Sequence, residues 1–236
     1  MAVKKISGSL IIELTRRCNM NCKHCLRGCA ENININKRII RSALDAFEDI
    51  QTLTLTGGEP SLVPELIKYT VDYIIANNIS LGGIYIVTNG KQYSRSMVNT
   101  MRRAYAYAYE KDLCALCVSV DAFHDGTHKE NYYRYADELF FRRDKEQPNL
   151  ERYLINEGNA YENGIGRRNL NVPVSIEKDA TYRWGSTLCI SEGLIYINAL
   201  GGVLLDCDVS YRNQNLYEIG NLNDSTLVDI IMAHIE

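Results

Sequence analysis

The sequence predicts an α/β fold built on a parallel β-sheet. Short β-like segments alternate with longer helical patterns through the first two thirds of the chain, which is the pattern of βαβ units. The 236 residues are enough for one sizeable domain or a domain with a small appendage. Hydrophobic residues make up 46% of the chain and charged residues 23%, which excludes a wholly disordered, collagen-like or coiled-coil protein.

Six strands and four long helices are predicted in the first part of the chain. The strands are expected at Ser9–Leu14, Thr52–Thr56, Ile84–Thr88, Cys114–Asp121, Leu150–Asn156 and Val172–Glu177. The helices are expected at Lys37–Ile50, Pro64–Asn77, Arg95–Lys111 and Lys129–Lys145. Between the last two strands, residues 157–171 are rich in Gly and Asn, so we expect a short or missing helix there.

The last quarter of the chain has a different character. Leu194–Ile197 and Val203–Leu205 lie on either side of Leu200-Gly201-Gly202, which predicts a β-hairpin. Residues 224–235 predict a closing helix capped by Asp224 or Ser225. We therefore expect a core over residues 1–180 and a smaller C-terminal segment over residues 181–236.

Charge and cysteine content narrow the function classes. Lys and Arg (26) nearly balance Asp and Glu (29), so the net charge of −3 predicts no general attraction to nucleic acid or membranes. No apolar run approaches the ~20 residues that span a bilayer, and the first apolar stretch is too short and polar for a signal peptide. We expect a cytoplasmic protein, in which eight cysteines indicate metal or redox chemistry rather than disulfides.

Cys18, Cys22 and Cys25, the cysteine triad, form C-x3-C-x2-C just after the first predicted strand. Three thiolates so spaced can ligate three irons of a [4Fe-4S] cluster and leave the fourth iron open. Structural zinc sites usually take four protein ligands. The alternatives are therefore a zinc knuckle completed by His24 or Cys29, or three buried free thiols.

A second motif, Gly57-Gly58-Glu59-Pro60, stands at the carboxyl end of the second predicted strand. Two glycines let a ligand approach the backbone closely, and a carboxylate beside them can receive an ammonium group. The alternative is a Gly-Gly turn before a helix that begins at Pro60. The triad after the first strand and GGEP after the second resemble the radical S-adenosylmethionine (radical SAM) superfamily. The context NMNCKH at residues 19–24 also resembles its peptide-modifying branch.

The resemblance covers about residues 8–180 and implies a partial (β/α)6 TIM-like barrel with ligands at the carboxyl ends of the strands. It implies that the triad holds a [4Fe-4S] cluster that chelates SAM, and that Gly57, Gly58 and Glu59 hydrogen-bond the methionyl ammonium. His24, which precedes the third cysteine, is implied to contact the adenine. The other cofactor-binding residues that it implies are Pro60, Asn89, Ser119, Asp121 (or a helix cap), and either Arg134 or Arg167 for the SAM carboxylate.

The C-terminal segment contains a second cysteine pattern. Cys189, Gly202 and Cys207 form C-x12-G-x4-C, which resembles the first half of the SPASM domain and the shorter twitch domain, both of which hold auxiliary clusters. Two thiolates leave a four-iron cluster short of ligands. We therefore weigh a second iron–sulfur cluster, completed by Asp206, Asp208 or another ligand, against a degenerate twitch-like hairpin without metal.

The resemblance implies an enzyme that reductively cleaves SAM to a 5′-deoxyadenosyl radical, which abstracts a hydrogen atom from a peptide or protein. The electron would come from a flavodoxin- or ferredoxin-type donor. Cys29 is a candidate thiol hydrogen donor or an incidental loop cysteine. A radical SAM enzyme for a small molecule, such as a nucleotide, sugar or cofactor precursor, is the alternative, and a non-catalytic iron–sulfur or zinc module is a third reading.

Overall fold

The computed structural model describes residues 2–121, 123–124, 129–142, 153–169 and 171–235. In these residues ten strands form one β-sheet. The strands are β1 (Lys5–Thr15), β2 (Phe47–Gly57), β3 (Ser80–Thr88), β4 (Ala115–Val118), β5 (Phe141–Arg142), β6 (Thr181–Trp184), β7 (Thr187–Ile190), β8 (Ile195–Ile197), β9 (Gly202–Leu204) and β10 (Gly220–Asn221). The helices are α1 (Lys37–Asp45), α2 (Pro64–Ala76), α3 (Arg95–Tyr107), α4 (Lys129–Ala136), α5 (Gly158–Glu162) and α6 (Leu227–Met232).

The sheet is mostly parallel and open. Strands β1 to β5 lie side by side in chain order, and each pairs in parallel with the next. On the other side of β1 the sheet continues through β8, β9 and β10, and β8 is parallel to β1. Among the described residues β5 and β10 do not pair, so the barrel is partial. The predicted α/β class with a parallel, TIM-like sheet is confirmed.

One face of the sheet packs against the helices. Ile6, Leu10 and Ile12 of β1 are fully buried, in the same apolar cluster as Ile40 and Leu44 of α1. Each such side chain contributes roughly 1.5–3 kcal/mol when it leaves water. Because side chains alternate along a strand, the residues between them must face the other way.

The opposite face is the inner face of the partial barrel, and toward the amino end of β1 it is only half-buried. Ser7, Ser9 and Ile11 alternate with the buried residues of β1 on this face. Ser7 Oγ donates to Asp49 Oδ2 at 3.0 Å, and the hydroxyl oxygens of Ser9 and Thr52 lie 3.1 Å apart. This part of the inner face therefore carries hydroxyl groups rather than a closed apolar core.

Three predicted helices are too long. The helix predicted over Arg95–Lys111 ends at Tyr107, where the chain leaves the helix and the Tyr109 N–H donates to the Leu81 carbonyl of β3 at 3.0 Å. The helix predicted over Lys129–Lys145 ends at Ala136, and Phe141–Arg142 forms β5; residues 143–145 lie outside the described residues. The Leu116 N–H donates to the Phe140 carbonyl at 2.9 Å, so pairing with β4 overrides the local helical pattern. The helix predicted over Lys37–Ile50 likewise ends at Asp45, because the chain from Phe47 onward pairs with β1.

The last two predicted strands of the core are wrong in the described residues. Of Leu150–Asn156, residues 150–152 lie outside the described residues, and the rest makes one isolated bridge, between Ile155 and Arg168. Val172–Glu177 makes one bridge, between Ile176 and Ile235. The edge of β1 is instead occupied by β7 and β8, both in parallel orientation, so the C-terminal segment completes the sheet.

The predicted hairpin is confirmed, since β8 and β9 pair in antiparallel orientation. The closing helix is confirmed as α6, but its cap is Thr226, whose Oγ1 accepts the Asp229 N–H at 3.2 Å, rather than Asp224 or Ser225. The domain division at residue 180 stays a prediction. Among the described residues, no helix has the length and apolar character needed to cross a membrane.

Candidate functional site

The cysteine triad lies in a loop of residues 16–31 that follows β1, which we call the cysteine loop. Two turns shape it, because the Cys25 N–H donates to the Cys22 carbonyl at 3.1 Å and the Gly28 N–H to the Cys25 carbonyl at 3.2 Å. The three thiols of the triad are half-buried, whereas Cys29 is exposed. Burial raises the pKa of the Cys18 thiol, and the charge of Glu59 acts in the same direction.

The two glycines of GGEP hold the start of this loop. The Gly58 N–H donates to the Thr15 carbonyl at 2.7 Å, and the Glu59 N–H donates to the Arg17 carbonyl at 2.8 Å. A Cβ atom on Gly57 would lie 2.2 Å from the Thr15 oxygen, and one on Gly58 2.3 Å from the Arg17 oxygen. The glycines therefore let the cysteine loop approach closely, and the close approach of a ligand to this turn stays a prediction. A 3₁₀ turn begins at Pro60.

Glu59 carries a buried carboxylate with neutral partners. The residue is 1% exposed. Its Oε1 accepts the Ser61 N–H at 2.9 Å and the Thr88 hydroxyl at 2.6 Å, and its Oε2 accepts the Asn89 N–H at 2.8 Å. In the described part of the chain no Lys, Arg or His pairs with it. The site thus concentrates negative charge at the carboxyl ends of β2 and β3.

Asn89 connects this carboxylate to the cysteine loop. Its side-chain Nδ2 donates to Asn19 Oδ1 at 2.8 Å and to Cys18 Sγ at 3.8 Å. A second donor reaches the same sulfur, since the Met20 N–H lies 3.4 Å from Cys18 Sγ. The predicted residues Cys18, Glu59 and Asn89 are therefore brought together.

A brace at the start of α5 shapes the same loop, and the sequence did not predict it. The Asn159 N–H donates to the Cys25 carbonyl at 2.8 Å, and its Nδ2 donates to the Cys22 carbonyl at 2.9 Å. Gly158 has a φ of +54°, and a Cβ there would lie 2.2 Å from the Leu26 oxygen. The sequence marks this segment only as rich in Gly and Asn, a composition that does not reveal contact with a loop more than a hundred residues away.

The donor geometry favours a cluster over a single ion. A cavity of about 640 Å³ is lined by Cys18 and Cys22, and also by Cys29 and Lys91. Zinc with bonds of about 2.3 Å to sulfur needs sulfurs roughly 3.8 Å apart. Among the described residues, the groups of three donor atoms within 4.8 Å of one another do not include the triad. The three sulfurs are therefore not all within the spacing that one tetrahedral ion needs, which favours a larger group.

The sequence profile of the radical SAM superfamily matches residues 12–142, which is more than half of the chain. The chain belongs to the radical SAM superfamily. Membership implies a [4Fe-4S] cluster and S-adenosylmethionine as cofactors. The residues present fit these groups, because they offer three half-buried thiols on one loop and a buried carboxylate without a cationic partner in the described chain.

An uncharacterized protein of Methanocaldococcus jannaschii is 34% identical over 67 residues, which are 27% of this chain and only 23% of that protein. The solved structure of native anSMEcpe with bound AdoMet and Cp18Cys peptide matches with a TM-score of 0.55 at 14% identity. That match covers 96% of this chain and 80% of the other. Streptococcus suis SuiB bound to S-adenosylmethionine matches with a TM-score of 0.47 at 14% identity, covering 97% and 66%. At such identities the likeness to anSMEcpe shows the fold.

His24 lies beside the loop that follows β4. Its ring centroid is 4.6 Å from that of Phe123 and 4.9 Å from that of His124, and its Nδ1 is buried without a hydrogen-bond partner. Burial lowers the pKa of His24, and the neighbouring His124 lowers it further, so the neutral ring predominates at neutral pH. A flat, neutral ring with a free nitrogen suits the adenine contact, which stays a prediction.

The two predicted residues after β4 differ in position. The Ser119 N–H donates to the Thr88 carbonyl at 2.9 Å, which places Ser119 beside the partners of Glu59. The Asp121 carboxylate accepts the N–H groups of Phe123 at 2.7 Å and His124 at 3.1 Å, and its Oδ2 lies 2.8 Å from His124 Nδ1. Asp121 therefore closes a turn here.

The two arginines predicted for the SAM carboxylate have other contacts. The Arg134 guanidinium lies 3.5 Å from the centroid of the Tyr93 ring. Arg167 Nη1 donates to the Gly164 carbonyl at 3.3 Å. Both side chains are exposed. Neither contact places a guanidinium beside the triad, and the choice between the two arginines stays a prediction.

Cys189 and Cys207 have different neighbours. Cys189 lies in β7 directly opposite Tyr182, with which it interacts. Cys207 follows β9, and its Sγ lies 3.7 Å from Asp208 Oδ1. Burial raises the pKa of the Cys207 thiol to about 11, and the charge of Asp208 adds to the effect. The donor atoms of Asp206, Cys207 and Asp208 lie within 4.8 Å of one another. An auxiliary cluster shared by the two cysteines stays a prediction.

A buried ionic network anchors the start of the cysteine loop, and the sequence did not predict it. Arg16 Nε donates to Glu13 Oε1 at 2.9 Å, and Arg16 Nη2 donates to Gln214 Oε1 at 2.6 Å. Gln214 Nε2 donates in turn to Glu13 Oε2 at 2.8 Å, and the Tyr196 hydroxyl donates to the same oxygen. Glu13 and Tyr196 are fully buried. The C-terminal segment thereby fixes the residue two positions before Cys18.

Proposed function

We propose that the cysteine triad holds the [4Fe-4S] cluster and that Glu59 receives the methionyl ammonium of SAM. The observation that carries this proposal is the buried Glu59 carboxylate, which has three neutral donors and no cationic partner in the described chain. A buried charge is costly unless an opposite charge compensates it. An ammonium group supplies that compensation. When bound, the cluster and SAM supply an electron-driven cleavage of the sulfonium that yields methionine and a 5′-deoxyadenosyl radical.

The protein's own groups at this turn fit a cation. The N–H groups of Gly58 and Glu59 are already donated to the cysteine loop, so the turn offers a ligand its carbonyl oxygens and the carboxylate. Thr88 and Asn89 hold that carboxylate in one orientation from the neighbouring strand. Cys18 is joined to the same Asn89, so the ammonium and the open iron would be presented to SAM as one unit.

We infer that the substrate is a peptide or protein side chain. The cavity of about 640 Å³ beside Cys18 and Cys22 follows the carboxyl end of β1, and a substrate side chain that enters it would lie beside the proposed cofactors. The similar fold of anSMEcpe was solved with AdoMet and a peptide. In the proposed reaction a substrate C–H bond breaks homolytically and its hydrogen atom passes to the radical, which leaves 5′-deoxyadenosine and a substrate radical. A flavodoxin- or ferredoxin-type protein supplies the electron.

The test is anaerobic reconstitution followed by incubation with SAM and dithionite. The protein should form 5′-deoxyadenosine, the triple variant of the triad to Ala should form none, and Cys114→Ala should behave as wild type, because Cys114 is a buried thiol outside the loop. Absence of 5′-deoxyadenosine from the cluster-loaded protein would refute the activity. A deuterated peptide pool should then transfer deuterium to 5′-deoxyadenosine. Transfer from nucleotides or sugars alone would refute the peptide assignment.

A further inference from the structure

Asn89 contacts both halves of the proposed site. Its backbone N–H donates to Glu59 Oε2 at 2.8 Å, and its side-chain Nδ2 lies 3.8 Å from Cys18 Sγ. The amide is itself held in place, because Nδ2 also donates to Asn19 Oδ1 at 2.8 Å and Oδ1 accepts the Lys91 N–H at 3.0 Å. Asn89 is 7% exposed, so water competes little for these bonds.

A hydrogen bond to a ligand sulfur has a defined electronic effect. Net charge and hydrogen bonds to the sulfurs are among the factors that set the potential of an iron–sulfur cluster. A donor N–H stabilises negative charge on the thiolate, and reduction adds negative charge, so the donor favours the reduced form. Cys18 receives such donors from Met20 and from Asn89. The Met20 donor is backbone and survives substitution, so Asn89 is the one that a substitution can remove.

We propose that Asn89 is a positioning residue that ties Cys18 to the Glu59 turn and raises the reduction potential of the cluster. This inference rests on the proposed function, because it takes Cys18 as a cluster ligand. It assigns Asn89 a role toward the cluster that is separate from contact with SAM. The role is measurable without SAM present.

The experiment is a redox titration of the reconstituted proteins without SAM, followed by electron paramagnetic resonance. Asn89→Ala removes the side-chain donor, and Asn89→Asp removes it and also adds a carboxylate near Cys18. Both variants keep the backbone N–H that Glu59 accepts. For Asn89→Ala we expect the equilibrium constant for one-electron reduction to fall about tenfold, a shift of about 59 mV to more negative potential. The added charge in Asn89→Asp should lower the potential further.

The matched control is Asn163→Ala. Asn163 Nδ2 donates to the Lys23 carbonyl at 3.2 Å, so this variant loosens the same loop without removing a donor to sulfur. Its potential should equal that of wild type. Iron content and melting temperature, measured on every variant, separate a change in potential from a loss of folding.

The possible results separate the two proposals. A wild-type potential in Asn89→Ala with full iron content would overturn the inference, and so would an equal shift in Asn163→Ala. Loss of iron together with a lower melting temperature in both Asn89 variants would assign Asn89 to folding alone. A wild-type protein that assembles no [4Fe-4S] cluster would overturn the proposed function as well.

Discussion

Gly158→Ala should distort the cysteine loop, whereas Gly164→Ala should leave it intact. Both glycines have positive φ, +54° at Gly158 and +66° at Gly164, so both variants place Ala in a left-handed conformation. At Gly158 the new Cβ would lie 2.2 Å from the Leu26 oxygen and 2.6 Å from the Cys25 oxygen, whereas at Gly164 nothing lies within 4 Å. The pair therefore isolates the steric effect on the loop from the shared backbone strain.

The expected loss of cluster retention is worked out from two contributions to the free energy, backbone strain and steric overlap. An L-residue in the left-handed region costs roughly 1–2 kcal/mol, and both variants pay that cost. Overpacking against backbone adds about 1–3 kcal/mol at Gly158 alone. If that extra free energy is relieved by displacing the loop, retention of the cluster should fall roughly 5- to 150-fold relative to Gly164→Ala.

The assay is a chelator challenge of the reconstituted proteins, with iron content and visible absorbance followed over time. Gly158→Ala should lose iron much faster than Gly164→Ala. Asn159→Ala provides a second test without a clash, because it removes the 2.9 Å bond to the Cys22 carbonyl but keeps the backbone bond to Cys25. Equal retention of iron in all three variants would refute the role of Gly158 and Asn159 in holding the cysteine loop.

Three further predictions concern other parts of the site. Glu59→Gln should weaken SAM binding by one to two powers of ten, about 1.5–3 kcal/mol, with the cluster spectrum intact; unchanged affinity in calorimetry would make Glu59 a turn residue only. In the triple variant of the triad to Ala, SAM cleavage should vanish, and any iron–sulfur absorbance that remains would belong to Cys189 and Cys207. Glu13→Gln should lower the free energy of unfolding by about 1.5–3 kcal/mol in denaturant titrations, because it removes a charge-assisted hydrogen bond from the buried Arg16, which keeps Glu31 as its second carboxylate. The control Arg212→Ala breaks an exposed pair and should change it by about 0–1 kcal/mol.

The sequence predicted the elements whose patterns are local. The alternation of buried residues in β1 and the helices that begin at Lys37, Pro64 and Arg95 follow from local patterns, and all are present. The wrong elements depend on distant pairing. Phe141–Arg142 is a strand only because β4 lies beside it, and the edge of β1 is filled by strands that follow it by more than 170 residues.

The candidate site likewise contains residues that the sequence predicted and residues that it did not. The triad and Glu59 are recognisable because their chemistry is unusual and their spacing is short. Gly158, Asn159 and Gln214 are ordinary residues whose importance comes from the atoms they meet, and those atoms belong to the cysteine loop or to residues just before it. Even at Gly57 the sequence predicted close approach but did not reveal that the backbone at Thr15 lies against it.

The cysteine loop is only partly buried, which explains why several residues from other parts of the chain hold it in place. After Arg16, none of the described residues 17–31 is buried, so apolar packing contributes little to the shape of the loop. That shape comes from the two turns within the loop and from hydrogen bonds donated by other elements. Glu59 reaches the carbonyl of Arg17, Asn159 those of Cys22 and Cys25, and Tyr211 that of Arg27. Because each donor acts on a different turn, loss of any one should loosen iron retention without altering a single thiol.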